Sequence, residues 1–224
     1  MIIKEKNYGN INYVISFPND FEKTKKYPLI FFLHGAGSRG DKLSAVSYNP
    51  FYIIIGNNNY FNFITVAPQC NKDTWFDMFS ELIEFCKYIA DSEFTDSNHF
   101  YGIGASMGGY GIWQLAMSCP ECFAAIVPIC GGGMYWNAAR LKNIPIWAFH
   151  GDSDPVVDKT ESVKMVEAVK ACGGNAKLTT YENCGHDAWS ETYGNTEVYA
   201  WLLKHCKTEY TDINRKFNDS KKFG

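Results

Sequence analysis

Seven strand-length segments recur along the 224-residue chain, and several are apolar on both faces. They fall at 11–17, 29–34, 63–68, 100–104, 124–130, 146–150 and 177–181. A strand reads this way when helices cover it above and below, as in a parallel sheet. Between the strands the apolar period changes. Trp75, Phe79, Leu82, Cys86 and Ile89 repeat at three- and four-residue steps, which makes one helix face. Val163, Val166 and Val169 do the same, as do Val198, Trp201 and Leu202 near the end. Alternating strands and helices predict a doubly wound, mostly parallel α/β sheet with helices on both faces.

The chain holds no repeat and no linker-like stretch before residue 208, where it turns polar. The expected organisation is one domain over 1–207 and a polar tail over 208–224. About 15 residues join the segment ending near Cys130 to the one starting near Ile146, too few for a large helical cap. Composition narrows the class further. Lys plus Arg is 21 and Asp plus Glu is 24, a formal net charge of −3, so the basic footprint of a nucleic-acid binder is absent. No apolar run approaches the ~18 residues of a membrane helix. The first ten residues, MIIKEKNYGN, carry no apolar secretory core, so a cytoplasmic chain is the expectation. Eight irregularly spaced cysteines in a chain of this size read as reduced thiols.

Chemistry enters at Gly104-Ala105-Ser106-Met107-Gly108, the one G-x-S-x-G match in the chain. A strand-like segment precedes the serine and a helix-like one follows, the setting of a nucleophile elbow. A serine hydroxyl needs a base within hydrogen-bond reach. Of five histidines, His186 lies in a loop after the last strand candidate, at the carboxyl edge where open α/β sheets place their sites. The segment HGDSDPVVD offers Asp152, Asp154 and Asp158 as the orienting acid. Asp152 is still in the turn, and Asp158 suits a helix N-cap, so Asp154 is best placed. The backbone N–H groups of Met107 and Ala36 are the expected oxyanion donors, the second from the glycine turn His34-Gly35-Ala36-Gly37.

These motifs, with YPLIFFLHGAGSRGD, FAAIVPICGGG and NCGHDAWSETYGNTEVYAWLL, resemble the α/β-hydrolase group of phospholipases and carboxylesterases, also labelled predicted peptidases. That group is related to prolyl-oligopeptidase-like hydrolases and to family 1 carbohydrate esterases. The similarity covers about residues 27–205 and implies an α/β-hydrolase fold with little or no cap. It places nucleophile, acid and base on Ser106, Asp154 and His186. Ser38 departs from the pattern, since relatives often carry an acidic residue there.

The reading is a serine esterase of small or aromatic esters, with hydroxycinnamoyl or acetyl esters of plant cell-wall polysaccharides implied by the resemblance. Its expected partner is a small-molecule or carbohydrate ester, with no nucleic acid, no membrane and no metal or organic cofactor. Trp75, Trp136 and Trp189 are candidate substrate-binding aromatics, as are Tyr135 and Tyr193. Cys119-Pro120-Glu121-Cys122 has redox or zinc spacing, but no second Cys/His pair stands beside it in sequence, so it reads as a loop with two thiols. Two rivals stand against the esterase: a serine peptidase acting on short peptides, and a non-catalytic binding module on a hydrolase scaffold.

Overall fold

The computed structural model describes residues 1–57 and 62–207. The predicted tail, 208–224, lies outside the described residues. Eight strands form one sheet: β1 (Ile2–Tyr8), β2 (Ile11–Phe17), β3 (Tyr27–Leu33), β4 (Ile64–Pro68), β5 (Thr95–Ala105), β6 (Ala125–Ile129), β7 (Ile146–Gly151) and β8 (Ala176–Tyr181). Their order is β1-β2-β4-β3-β5-β6-β7-β8. From β4 to β8 every neighbouring pair is parallel, while β1 pairs antiparallel with β2 and β2 with β4. All seven expected strands are present. The eighth, β1, carries no apolar run because it is an edge strand, and Lys4, Glu5 and Lys6 face water along it.

Strand β3 shows why the central segments read as continuous apolar runs. Leu29, Phe31 and Leu33 point to one face and Ile30 and Phe32 to the other, all fully buried. On the first face lie α3 (Phe79–Ala90), α4 (Met107–Ser118) and α5 (Thr160–Ala171). On the second lie α2 (Pro50–Gly56), α6 (Ala188–Gly194) and α7 (Thr196–Leu202), while the short α1 (Ser44–Ser47) adds Val46. Burying one phenylalanine contributes roughly 1.5–3 kcal/mol, so Phe31 and Phe32 together tie both helical layers to the sheet. The predicted helix from Trp75 begins as a 3₁₀ turn, Trp75–Met78, and becomes α-helical at Phe79. A reciprocal cap sets that start, with Thr74 and Asp77 each accepting from the other's end of the turn.

Between β6 and β7 only a 3₁₀ segment, Tyr135–Leu141, intervenes, so no helical cap rises there. The loops following β3, β5, β7 and β8 therefore share one open edge of the sheet.

Candidate active site

Ser106 sits between β5 and α4 with φ 55° and ψ −120°, a left-handed conformation rare for a residue with a side chain. The turn holds because its neighbours are small. A Cβ on Gly108 would stand 1.9 Å from the Leu33 carbonyl oxygen, so only glycine lets α4 start this close to β3. The Ser106 N–H donates to Ile129 O at 2.9 Å, which fixes the turn against β6. Strain at this position is retained because packing on two strands over-determines it.

The His186 loop follows β8, and its imidazole meets the serine across the edge. Nε2 lies 2.8 Å from Ser106 Oγ, and Nδ1 lies 2.8 Å from Asp154 Oδ2. With Nδ1 protonated toward the carboxylate, Nε2 presents its lone pair to the hydroxyl. Asp154 is locked in turn, because Oδ1 accepts from Val156 N at 2.8 Å and Val157 N at 3.0 Å. Its side chain is wholly enclosed. Burial opposes its charge, yet the hydrogen bond from His186 and the two backbone N–H groups outweigh burial and hold the carboxyl below its ordinary range. The loops carrying Asp154 and His186 can touch because Gly151 has no side chain; a Cβ there would stand 2.1 Å from Gly185 O.

The other two carboxylates of the segment lie elsewhere. Asp152 is exposed and accepts from the Ser153 hydroxyl at 2.8 Å. Asp158 accepts from Thr160 N at 2.8 Å, capping the start of α5.

A second histidine approaches the same carboxylate, and sequence reasoning did not single it out. His150 Nε2 is 3.3 Å from Asp154 Oδ2 and donates to Val157 O at 2.9 Å. Nδ1 lies 2.7 Å from Ser162 Oγ, whose hydroxyl donates to Gly131 O. His150 thus braces the Asp154 loop from below. The signal that could have found it was its place at the end of β7, four residues before the acid.

The loop after β3 forms the opposite wall. Ala36 opens a 3₁₀ turn, Ala36–Ser38, and no backbone acceptor pairs with the N–H of Ala36 or of Met107 among the described residues. His34 anchors this loop from inside: Nδ1 donates to Gly35 O at 2.8 Å and Nε2 accepts from Cys70 N at 3.1 Å. Burial pushes its pKa down to about 4, so it stays neutral. Gln69 Nε2 donates to Ser38 O and Arg39 Nε to Ala36 O, which complete the support of the turn.

A cavity of about 420 Å³ opens between these walls, with Ala36, Asn49, Pro50, Val156, Trp189 and Tyr193 around Ser106 and His186. Trp189 stands edge-on to His186, with ring centroids 5.1 Å apart. The other expected aromatics are placed differently. Trp75 is corrected: it is fully buried and donates to His34 O at 3.0 Å, so it props the loop and has no face for a ligand. Trp136 is 71% exposed beside Tyr135 and outside the cavity lining. Tyr193 is buried at the cavity base. Two cysteines border the site. Cys130 Sγ lies within 4.8 Å of ligand atoms of Asp154 and His186, and burial drives its thiol far above the ordinary range. Cys184 is also raised by burial, so neither thiol supplies a thiolate here.

Residues 78–199 match the family described as Phospholipase/Carboxylesterase. A dipeptidyl-peptidase 5 of Aspergillus fumigatus is 30% identical over 263 aligned positions, covering 93% of this chain and 36% of that protein. The chain thus spans about a third of the length of that relative. A probable feruloyl esterase C of Aspergillus niger is 25% identical over 85% of this chain and 73% of its own length. Among solved structures, a thermostable esterase is 32% identical with a TM-score of 0.76, covering 92% of this chain and 63% of that one. An esterase from Butyrivibrio proteoclasticus with ferulic acid bound shares the fold at TM-score 0.68 and 16% identity, over 90% of this chain and 98% of its own. No helix among the described residues is long and apolar enough to cross a membrane.

Proposed function

The chain belongs to the phospholipase/carboxylesterase family of α/β-hydrolases, and on that footing we propose that it hydrolyses carboxylic esters through a covalent serine intermediate. One observation carries the reading: the unbroken hydrogen-bond line from Asp154 through His186 to Ser106. In the reaction, His186 Nε2 takes the Ser106 proton as Oγ attacks the ester carbonyl. Asp154 holds the imidazole and balances its transient positive charge. The N–H groups of Ala36 and Met107 take up the oxyanion, and their freedom from backbone acceptors supports that role. His186 then passes its proton to the departing alcohol, leaving an acyl-serine. Water, deprotonated by His186, attacks the acyl carbonyl; the acid leaves, and the serine regains its proton.

Features of the cleft support a substrate class. Its lining is mainly apolar, with Pro50, Val156, Trp189 and Tyr193. About 420 Å³ suits a small or aromatic acyl group, and the lack of a large cap leaves the other side of the ester open to a bulky alcohol such as a sugar. Hydroxycinnamoyl and acetyl esters fit that description, and the feruloyl esterase relative points the same way.

The dipeptidyl-peptidase relatives favour a second reading, cleavage of short peptides. An amide demands protonation of a poor leaving group and a grip on the peptide amine, and among the described residues the cleft lining holds no carboxylate for that grip. The esterase reading is therefore preferred.

A fluorophosphonate probe followed by a substrate panel tests both levels. Labelling at Ser106 with turnover of nitrophenyl acetate and methyl ferulate is the expected result. Labelling with turnover of aminoacyl nitroanilides alone would make the protein a peptidase. Absence of labelling would leave a non-catalytic scaffold.

A further inference from the structure

Three cysteines, two of them neighbours in sequence and one distant, converge at the far end of the nucleophile helix. Cys119 terminates α4, Cys122 ends the 3₁₀ turn Pro120–Cys122, and Cys86 projects from the neighbouring α3. Their sulfur atoms all lie within 4.8 Å of one another. Cys119 and Cys122 are held in register by Cys122 N donating to Cys119 O at 3.0 Å. Cys86 and Cys119 are fully buried and Cys122 is 5% exposed, so among the described residues the cluster meets solvent at Cys122.

We propose that Cys86, Cys119 and Cys122 form a three-coordinate thiolate site for a soft monovalent d¹⁰ cation, with cuprous ion as its type. The geometry suits such an ion. Metal–sulfur bonds of about 2.3 Å around a trigonal centre put the sulfurs about 4 Å apart, a spacing compatible with three sulfurs that lie within 4.8 Å of one another. No histidine or carboxylate joins the group among the described residues. Structural zinc and iron–sulfur centres take four ligands, and thiolates select soft ions such as cuprous. Counted from the fully protonated trio, binding replaces three S–H bonds by three metal–sulfur bonds, releases three protons and transfers no electron; hydrogen bonds from Cys119 and Cys86 already hold the Cys122 thiol below its ordinary range. The product carries charge −2, and two ammonium groups stand ready to balance it. Lys87, next to Cys86, bears electrostatically on Cys119 and Cys122, and Lys207 bears on Cys122. Lys87 is also bridged to Glu121 at 3.2 Å, at the Cys122 side of the cluster.

The site lies at the opposite end of a 12-residue helix from Ser106, about 18 Å away, and its consequence is structural. A bound ion would pin α3 to the end of α4 and stabilise the chain by mass action.

The test uses the full chain, reduced and kept anaerobic, and titrates cuprous ion against a chromophoric chelator. One ion withdrawn per chain is expected. Cys86→Ala and Cys119→Ala should each weaken binding by about 100-fold or more, because even loss of an outer-shell partner costs about 10–100-fold. Cys172→Ser and Cys206→Ser, outside the cluster, should bind as the parent does. Retention of affinity within threefold in Cys86→Ala would overturn the proposal, and so would loss of binding in Cys130→Ala with the trio intact. A parent that withdraws no ion would overturn it as well, whether its trio stays as free thiols or closes a Cys119–Cys122 disulfide. Should Cys86→Ala fail to fold, X-ray absorption of the loaded parent decides. Three sulfur neighbours support the site, and nitrogen or oxygen neighbours, or only two sulfurs, sink it.

Discussion

The two ends of α4 hold reactive side chains under opposite rules. At its start Ser106 is a weak nucleophile by nature, placed in a strained turn and tied by directed hydrogen bonds to His186 and through it to Asp154. At its end Cys119 and Cys122 are better nucleophiles by nature, buried in apolar packing with Cys86, and among the described residues no histidine or carboxylate joins them. Cys130 adds a further contrast, since a thiol close to His186 stays protonated because burial dominates. Reactivity is thus set by polar neighbours and access rather than by the atom. The carboxyl edge of the sheet supplies a base and an open cleft through its loops, whereas the polar neighbours at the other end of α4 are the Lys87–Glu121 pair and the thiols themselves.

Removing the hydroxyl strikes the comparison hardest. Ser106→Ala should fold as the parent does and lose roughly 10³-fold or more in kcat, because nucleophile, base and acid act as a unit. If steady-state assays found more than a tenth of the activity left, the start of α4 would have no claim to the chemistry.

The loop that faces Ser106 offers a pH signature. An unfolded histidine takes up a proton below pH ~6.5, whereas His34 resists until about 4. Its folded pKa is depressed, so the stability it confers is full above 6.5 and is lost as pH falls toward 4. The loss attributable to this residue is about 3 kcal/mol over that window. Urea unfolding of parent and His34→Gln at pH 7 and pH 4.5 should show a shallower fall in the variant. Equal falls would mean that the loop does not depend on a neutral imidazole.

Asp154→Asn should lower kcat by roughly 10³–10⁴-fold, since the imidazole then takes the wrong tautomer and loses the balancing charge. His150→Gln should cost about tenfold, because His150 reaches Asp154 only from behind and two backbone N–H groups still hold the carboxylate. If kinetics gave His150→Gln the larger loss, the acid would be held mainly by β7 rather than by its own turn. The smallest effect belongs to Asp158→Asn, an exposed cap, with activity within about twofold of the parent and a slight loss of stability. A loss approaching that of Asp154→Asn would move the acid to position 158.

Much of this was legible in the chain because strands covered on both faces need apolar residues at every position. That is why 29–34 and 146–150 stood out, and why β1, at a solvated edge, did not. The elbow was legible for a local reason, since only glycine tolerates the approach of α4 to Leu33 O. Turn chemistry favoured Asp154 over Asp152 and Asp158, and in the fold it is Asp154 that meets His186. Aromatic roles were not legible: Trp75 and Trp189 look alike in sequence, and one is buried under the His34 loop while the other borders the cleft.

By itself, then, the sequence determined the α/β-hydrolase architecture and the candidate positions Ser106, Asp154 and His186, because periodicity and turn chemistry act between near neighbours. Only the tertiary structure decided which tryptophan faces the cleft, that His150 shares the carboxylate of Asp154, and that Cys86 meets Cys119 and Cys122. Those facts depend on how helices lie across the sheet. That packing is fixed by the summed burial of two apolar layers, and no short window of sequence contains it.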